Sequence, residues 1–172
     1  YEEIATYCSE NKMATGALYA WYLSAEAELQ TGNPERAREI AENAIDVACK
    51  PNINNQLVMA MLSKLLAEAK IIFGDHEGAQ INIENALNIT EKNDLHILHI
   101  YTCMTLGKLY QEKASSGSQE EKEVQCNCAY RNYIKALNIA EKIDNRYFVN
   151  KVEKVLSNLT AFCKLSGINL EK

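Results

Sequence analysis

The chain is poor in proline and has no long apolar run. Only two of its 172 residues are proline, the residue that helix interiors exclude because it lacks an N–H and clashes with the preceding turn. No apolar stretch approaches the roughly 18 residues that a membrane-spanning helix needs, so no membrane partner is expected. The acidic start at Tyr1 also lacks the apolar core of a signal peptide.

An excess of basic residues is absent as well. The formal net charge is −5, and the lysines and arginines are scattered along the sequence. Proteins that bind nucleic acid gather positive charge on one face, where it meets the phosphate backbone. We therefore expect no direct contact between this chain and nucleic acid.

Cysteine is frequent enough to suggest disulfides, yet the pattern favours free thiols. The chain is large enough to form its own core, and the cysteines lie inside helical patterns, which fits buried thiols in a reducing cytoplasm. Disulfide frameworks concentrate in short secreted chains, so a functional disulfide is the less favoured alternative. The six residues are Cys8, Cys49, Cys103, Cys126, Cys128 and Cys163.

A nine-residue stretch occurs twice and indicates an internal repeat. The copies that begin at Ala86 and Ala136 are identical at seven of nine positions. Turn signals at Gly32 and Gly74 are separated by 42 residues. Small residues seven apart share one stripe of a helix, where they let a neighbouring helix approach closely. Alanine pairs with this spacing are Ala37/Ala44, Ala79/Ala86 and Ala129/Ala136.

With these pairs in place, the chain resembles the tetratricopeptide repeat family over about residues 15–165. The first helix of that repeat carries Trp-x2-Leu-Gly-x2-Tyr, and the second carries alanines around an aromatic residue. Ile83 and Tyr133 stand at that aromatic position. The best first-helix match is Cys103/Leu106/Gly107/Tyr110, which has cysteine in place of tryptophan. Two partial matches are Trp21/Ala25 and Leu66/Ala67.

The 42-residue spacing exceeds the usual period of about 34 residues. It resembles the longer variant in kinesin light chains and in C-terminal arrays of bacterial signalling ATPases and regulators. The resemblance implies an all-α fold, a right-handed superhelix of antiparallel helix pairs. Because the chain does not start with methionine, we expect a piece of a longer protein. One repeat domain over 1–172 would hold repeats at about 15–50, 54–92 and 94–143 and a capping helix at about 145–165.

Turn chemistry predicts where the helices end. Asn33, followed by proline, and Asp75 are expected N-caps after the two turn glycines. Asp94 is the expected cap of the next helix, which should end near residue 114. Ten extra residues then begin with a serine-rich loop at 115–118. Ser118 and Glu121 form a capping-box pattern that should start a longer helix.

No pattern typical of catalysis appears, such as a Gly-rich phosphate loop or a Ser/His/Asp grouping. We therefore expect no enzyme activity and no cofactor. His96, His99 and Cys103 share one helix stripe and are good zinc ligands, but Cys103 holds an inward repeat position and the histidines should lie at the rim. No further ligand can be named. Cys126 and Cys128 point to nearly opposite sides of a helix, so no metal site is expected at either place.

The resemblance implies a concave groove lined by the first helix of each pair. Tyrosine and methionine suit adaptable protein contacts, although such residues can instead pack against neighbouring helices. Glu26 and Glu68 stand where chaperone-binding members have the asparagine of a carboxylate clamp, so no such clamp is expected. The predicted partner-binding residues are Tyr19, Tyr22, Glu26, Lys64, Glu68, Tyr101, Met104, Lys108, Lys154 and Asn158.

From the resemblance we expect a cytoplasmic scaffold module that binds a protein or a peptide in this groove. The alternative is a sensor or oligomerisation arm of a multidomain signalling or transcription-regulatory protein, with a peptide or small effector in the groove. A homo-oligomer is compatible with both. The sequence leaves the identity of the partner open.

Overall fold

The computed structural model describes residues 1–10, 13–50, 53 and 55–170. These residues form eight α-helices and no β-strand, which confirms the all-α prediction. Each turn glycine of the sequence falls between two helices rather than within one. The helices are α1 (Glu2–Glu10), α2 (Ala14–Gln30), α3 (Pro34–Ala48), α4 (Gln56–Ile72), α5 (His76–Lys92), α6 (His96–Ser116), α7 (Gln119–Lys142) and α8 (Arg146–Leu165).

The chain divides into two compact units. Unit 1 is Tyr1–Asn93 and contains α1 to α5, and unit 2 is Asp94–Lys172 and contains α6 to α8. In unit 1 each helix packs against the next, and α2 also contacts α4. In unit 2, α7 packs against both α6 and α8, and α6 also contacts α8. Adjacent helices are therefore packed in pairs within each unit.

Many of the buried residues in the helices are alanine. Because alanine has no side-chain atom beyond Cβ, it lets two helix backbones approach while larger apolar residues fill the space beside it. In unit 1 these larger residues include Leu18, Leu62 and Leu65, all fully buried. The repeat alanines are fully buried without exception: Ala37, Ala44, Ala79, Ala86, Ala129 and Ala136.

The pair α6–α7 packs a ring against a glycine. A Cβ atom added to Gly107 on α6 would collide with the ring of Tyr133 on α7. Tyr133 is buried, its hydroxyl is hydrogen-bonded to Gln111, and burial raises the pKa of that hydroxyl. The small residue at the repeat position of Gly107 therefore makes room for an aromatic side chain on the partner helix.

The repeat extends to the conformation of the turns. Gly32 and Gly74 both adopt positive φ, +86° and +75°, where glycine has no Cβ to clash. Asp94 and Asp144, the last residues of the two nine-residue copies, also adopt positive φ, 52° and 51°. The prediction that Asp94 caps α6 is wrong, because Leu95 occupies the N-cap position and makes no side-chain cap hydrogen bond.

Two predicted caps have different outcomes. Asp75 caps α5 as predicted, accepting a hydrogen bond from the N–H of Gly78 at 2.9 Å. Asn33 holds the N-cap position of α3 but makes no side-chain cap bond. Its side-chain NH2 group donates to the carboxylate of Glu28 at 2.9 Å, which joins the start of α3 to the end of α2.

The start of α4 differs slightly from the prediction. Residue 54, the predicted start of the second repeat, lies outside the described residues. The helix begins at Gln56, and Asn55 caps it by accepting a hydrogen bond from the N–H of Val58 at 3.1 Å.

Among the described helices, none combines the length and the apolarity that a bilayer crossing requires.

The predicted loop at 115–118 is wrong in its first half. Ser115 and Ser116 belong to α6, and only Gly117 and Ser118 separate α6 from α7. The capping box is confirmed: the N–H of Glu121 donates to the Ser118 hydroxyl at 3.4 Å, and the Ser118 N–H donates to the Glu121 carboxylate at 2.7 Å. These bonds lower the pKa of Glu121. The ten extra residues therefore lengthen both helices of the pair.

Candidate partner-binding surface

In unit 1, α2 and α4 carry the same hydrogen-bonded arrangement at positions 42 residues apart. The hydroxyl of Tyr22 donates to the carboxylate of Glu26 at 2.8 Å. The ammonium group of Lys64 donates to the carboxylate of Glu68 at 2.9 Å. Both pairs join residues i and i+4, which are neighbours on a helix surface. Each carboxylate is therefore held in position by the residue one turn earlier.

The ion pair on α4 is less exposed than the Arg36–Glu39 pair on α3. The side chains of Lys64 and Glu68 expose 13% and 27% of their area. Because α2 packs against α4, the surroundings of this pair are partly protein rather than water, and salt screens it less than an open surface pair. The pair gives this face of unit 1 a fixed pattern of charge.

The two predicted tyrosines of α2 are anchored in the core. Tyr19 and Tyr22 are half-buried and pack against the apolar cluster of unit 1, as Trp21 and Leu29 also do. The ring of Tyr22 packs on the core, while its hydroxyl bonds to Glu26. Tyr22 therefore links the core of unit 1 to the carboxylate of Glu26.

In unit 2, Tyr101 belongs to a cluster that joins α6 to α8. The rings of Tyr101 and Phe148 meet edge to face, with centroids 5.0 Å apart. The ammonium group of Lys151 lies 4.6 Å from the centroid of Tyr101 and 5.7 Å from that of Tyr147. A cation over aromatic faces is attracted by their π electrons. Tyr101 is thus packed against Phe148 and has Lys151 as a charged neighbour.

Tyr147 also belongs to this cluster, although it was not among the residues predicted from the sequence. Its ring packs against Phe148 with centroids 5.1 Å apart, and it is 63% exposed. The available signal was the pair of adjacent aromatic residues at the start of α8, one turn before Lys151. That signal gave no indication of which other helix the pair would contact.

The remaining predicted residues of unit 2 lie on the same two helices. Met104 is half-buried on α6, whereas Lys108 on α6 and Lys154 and Asn158 on α8 are exposed. Lys108 also borders a cavity of about 310 Å³, which is lined in addition by Gln111, Glu112, Ser115 and Phe162. The predicted residues of unit 2 therefore lie on two helices that contact each other, α6 and α8.

The histidine and cysteine stripe of α6 lies partly inside the protein. His96 is exposed, but His99 and Cys103 are buried, so the prediction that both histidines lie at the rim is wrong for His99. In the ranges 1–10, 13–50, 53 and 55–170, no group of three or more His, Cys, Asp or Glu residues is arranged to hold a metal ion.

Most cysteines are buried, as expected. Cys8, Cys103, Cys126 and Cys163 are buried, and Cys128 is half-buried, but Cys49 is exposed, contrary to the expectation of buried thiols. No disulfide joins any of them in the part of the chain that the structure describes.

Known proteins offer no direct guide to this surface. No model of a known protein family matches the chain, and no curated protein matches it. The charges, hydrogen bonds and packing of the surface itself are therefore the basis for a functional conclusion.

Proposed function

We propose that the protein is a scaffold module, similar to tetratricopeptide repeat arrays, that binds a protein or an extended peptide. The observation that carries the proposal is the repeated pair on α2 and α4, Tyr22–Glu26 and Lys64–Glu68. In a solenoid, equivalent residues of successive repeats lie side by side and line one surface. The contact between α2 and α4 supports this placement within unit 1.

The proposed architecture is a right-handed superhelix of antiparallel helix pairs. Two features support it. The helices of the first two predicted pairs are joined by three-residue turns, Thr31–Asn33 and Phe73–Asp75, and short connections favour antiparallel neighbours. The left-handed glycines of these turns stand 42 residues apart, so equivalent turns are built in the same way.

The charges on this surface suggest the chemistry of a partner. In unit 1, Glu26 and Glu68 provide two carboxylates and Lys64 one ammonium group, so this part suits a basic side chain. In unit 2, Lys108 and Lys154 are exposed cations, which suit an acidic side chain. The expected ligand of the unit 1 surface is therefore a peptide that carries basic side chains.

Selection from a displayed random peptide library on the immobilised protein tests this proposal. Selected peptides are titrated calorimetrically against the wild type, Glu26→Gln and Glu68→Gln. Each substitution keeps the shape of the side chain and removes one charge, so we expect roughly tenfold weaker binding, about 1.4 kcal/mol. The matched control is Glu42→Gln, because Glu42 is an exposed carboxylate on α3, outside the proposed surface.

The proposal fails if the Glu42 variant loses as much affinity as the other two. It also fails if both surface variants bind every selected peptide as the wild type does. Circular dichroism of each variant confirms that a loss of binding does not reflect a loss of helix.

A further inference from the structure

Two helices of unit 2, α6 and α8, hold equivalent places in the repeat. The nine-residue copies that precede them begin at Ala86 and Ala136, 50 residues apart. The same offset relates Met104 on α6 to Lys154 on α8. Both helices therefore stand where the first helix of a repeat stands, and their predicted partner-binding residues fall on equivalent stripes.

The helices α6 and α8 run side by side in the same direction. Near their starts, the ring of Tyr101 on α6 meets that of Phe148 on α8, with centroids 5.0 Å apart. Near their ends, Gln111 on α6 and Phe162 on α8 line one cavity of about 310 Å³. The residues between these two contacts form a surface that we name the α6–α8 face. It carries Tyr101, Met104, Lys108, Lys151, Lys154 and Asn158.

The α6–α8 face is positively charged, although the net charge of the chain is −5. The two helices contain six lysines and arginines and only two carboxylates. Within the part of the chain that the structure describes, none of the three lysines of the face forms an ion pair. Positive charge that is not neutralised inside the molecule favours an acidic group from outside. The three lysines are Lys108, Lys151 and Lys154.

The cavity at the end of the face provides hydrogen-bond donors beside an apolar ring. Its walls include Lys108, Gln111 and the half-buried ring of Phe162. The hydroxyl of Tyr133 donates to Oε1 of Gln111, which leaves the side-chain NH2 group of Gln111 to donate elsewhere. An ammonium group and an NH2 group together suit a carboxylate. Glu112 also borders the cavity and opposes such a group.

We propose that the α6–α8 face binds an acidic peptide segment, with one carboxylate of the peptide in the cavity beside Lys108. This inference rests on the proposed function, since it assigns a second ligand to the same scaffold. Three cations beside aromatic and apolar side chains suit a peptide better than a nucleic acid, which needs a denser basic patch. The unit 1 surface suits a basic segment, so the two surfaces select different peptides.

Peptide selection on a variant without the charges of the unit 1 surface tests the proposal. The variant Glu26→Gln/Lys64→Gln/Glu68→Gln is immobilised and exposed to a displayed random peptide library, after circular dichroism has shown that it is helical. We expect the enriched peptides to contain more aspartate and glutamate than lysine and arginine. No enrichment, or enrichment of basic or uncharged peptides, overturns the proposal.

Calorimetric titration locates the bound peptide. Adding Lys108→Gln/Lys154→Gln to the variant should weaken binding by roughly three- to tenfold, because two exposed charge contacts are lost. Adding Glu112→Gln should strengthen binding by about twofold, because it removes the opposing carboxylate. Equal affinity in the presence and absence of Lys108 and Lys154 overturns the proposal, as does weaker binding after Glu112→Gln.

The matched control is Lys135→Gln, because Lys135 is an exposed lysine on α7, outside the α6–α8 face. It should leave the affinity unchanged, and a loss as large as that of the double lysine variant overturns the assigned surface.

The same variants separate this proposal from the proposed function. Basic peptides selected on the wild type should bind Lys108→Gln/Lys154→Gln as they bind the wild type. If they do so and no acidic peptide is enriched on the triple variant, the α6–α8 proposal is wrong and the unit 1 surface stands. If acidic peptides bind and no basic peptide does, the unit 1 surface is wrong and the α6–α8 face stands.

Discussion

At the scale of single residues, the fold depends on places where a side chain must be small. Gly107 is such a place, because the ring of Tyr133 occupies the position that a Cβ atom would need. We expect Gly107→Ala to destabilise the protein by about 1–3 kcal/mol, the usual effect of overpacking. Urea unfolding followed by circular dichroism measures this change.

A double-mutant comparison identifies the ring as the cause. In a Tyr133→Ala background the space beside Gly107 is open, so Gly107→Ala should no longer destabilise. It should instead stabilise α6 by up to about 1 kcal/mol, because alanine favours a helix more than glycine does. An equal loss in both backgrounds would show that the glycine serves something other than the ring.

A second prediction at the scale of single residues concerns the repeat alanines. Ala86 and Ala136 hold equivalent positions in the two nine-residue copies and are fully buried. Ala86→Leu and Ala136→Leu should each destabilise by about 1–3 kcal/mol, because a close helix contact cannot absorb the added volume. The control is Ala161→Leu, an exposed alanine on α8, which should change the melting temperature little. Unchanged melting of both repeat variants would contradict the equivalence of the two positions.

At the scale of helices, the start of α7 depends on its capping box. Ser118→Ala removes the hydroxyl that accepts the N–H of Glu121, and such a loss typically costs about 0.5–2 kcal/mol. The control is Ser115→Ala, since Ser115 lies inside α6, where alanine is at least as favourable. Thermal unfolding compares the two variants. Equal stability of both would show that the capping box contributes nothing measurable.

The segment 115–118 also shows why its serine content wrongly predicted a loop at Ser115 and Ser116. Serine is typical of loops because its hydroxyl competes with helical hydrogen bonds. Here the hydroxyl of Ser115 donates to the carbonyl of Gln111 at 3.1 Å, a bond made within the helix. The capping box was predictable because its two partners are three residues apart and need no tertiary contact. The length of α6 depends on its packing against α7, which local composition does not report.

At the scale of the whole molecule, the sequence predicts features that repeat or are local in the chain. The 42-residue spacing identified the turns at Gly32 and Gly74, and the three-residue spacing of Ser118 and Glu121 identified the capping box. The cluster of Tyr101 with Phe148 could not be predicted in this way. Its members are 47 positions apart and belong to helices with different places in the repeat, so no internal copy of the contact exists to reveal it.

We propose that a peptide binds to α2 and α4, the first helices of the two predicted pairs in unit 1. Heteronuclear NMR measures it most directly, by following amide chemical shifts while a selected peptide is added. We predict that the largest shift changes in unit 1 fall on α2 and α4, around Tyr22, Glu26, Lys64 and Glu68. The exposed carboxylates Glu42 on α3 and Glu84 on α5 should change little. Shift changes centred on α3 and α5, with α2 and α4 unaffected, would contradict the claim.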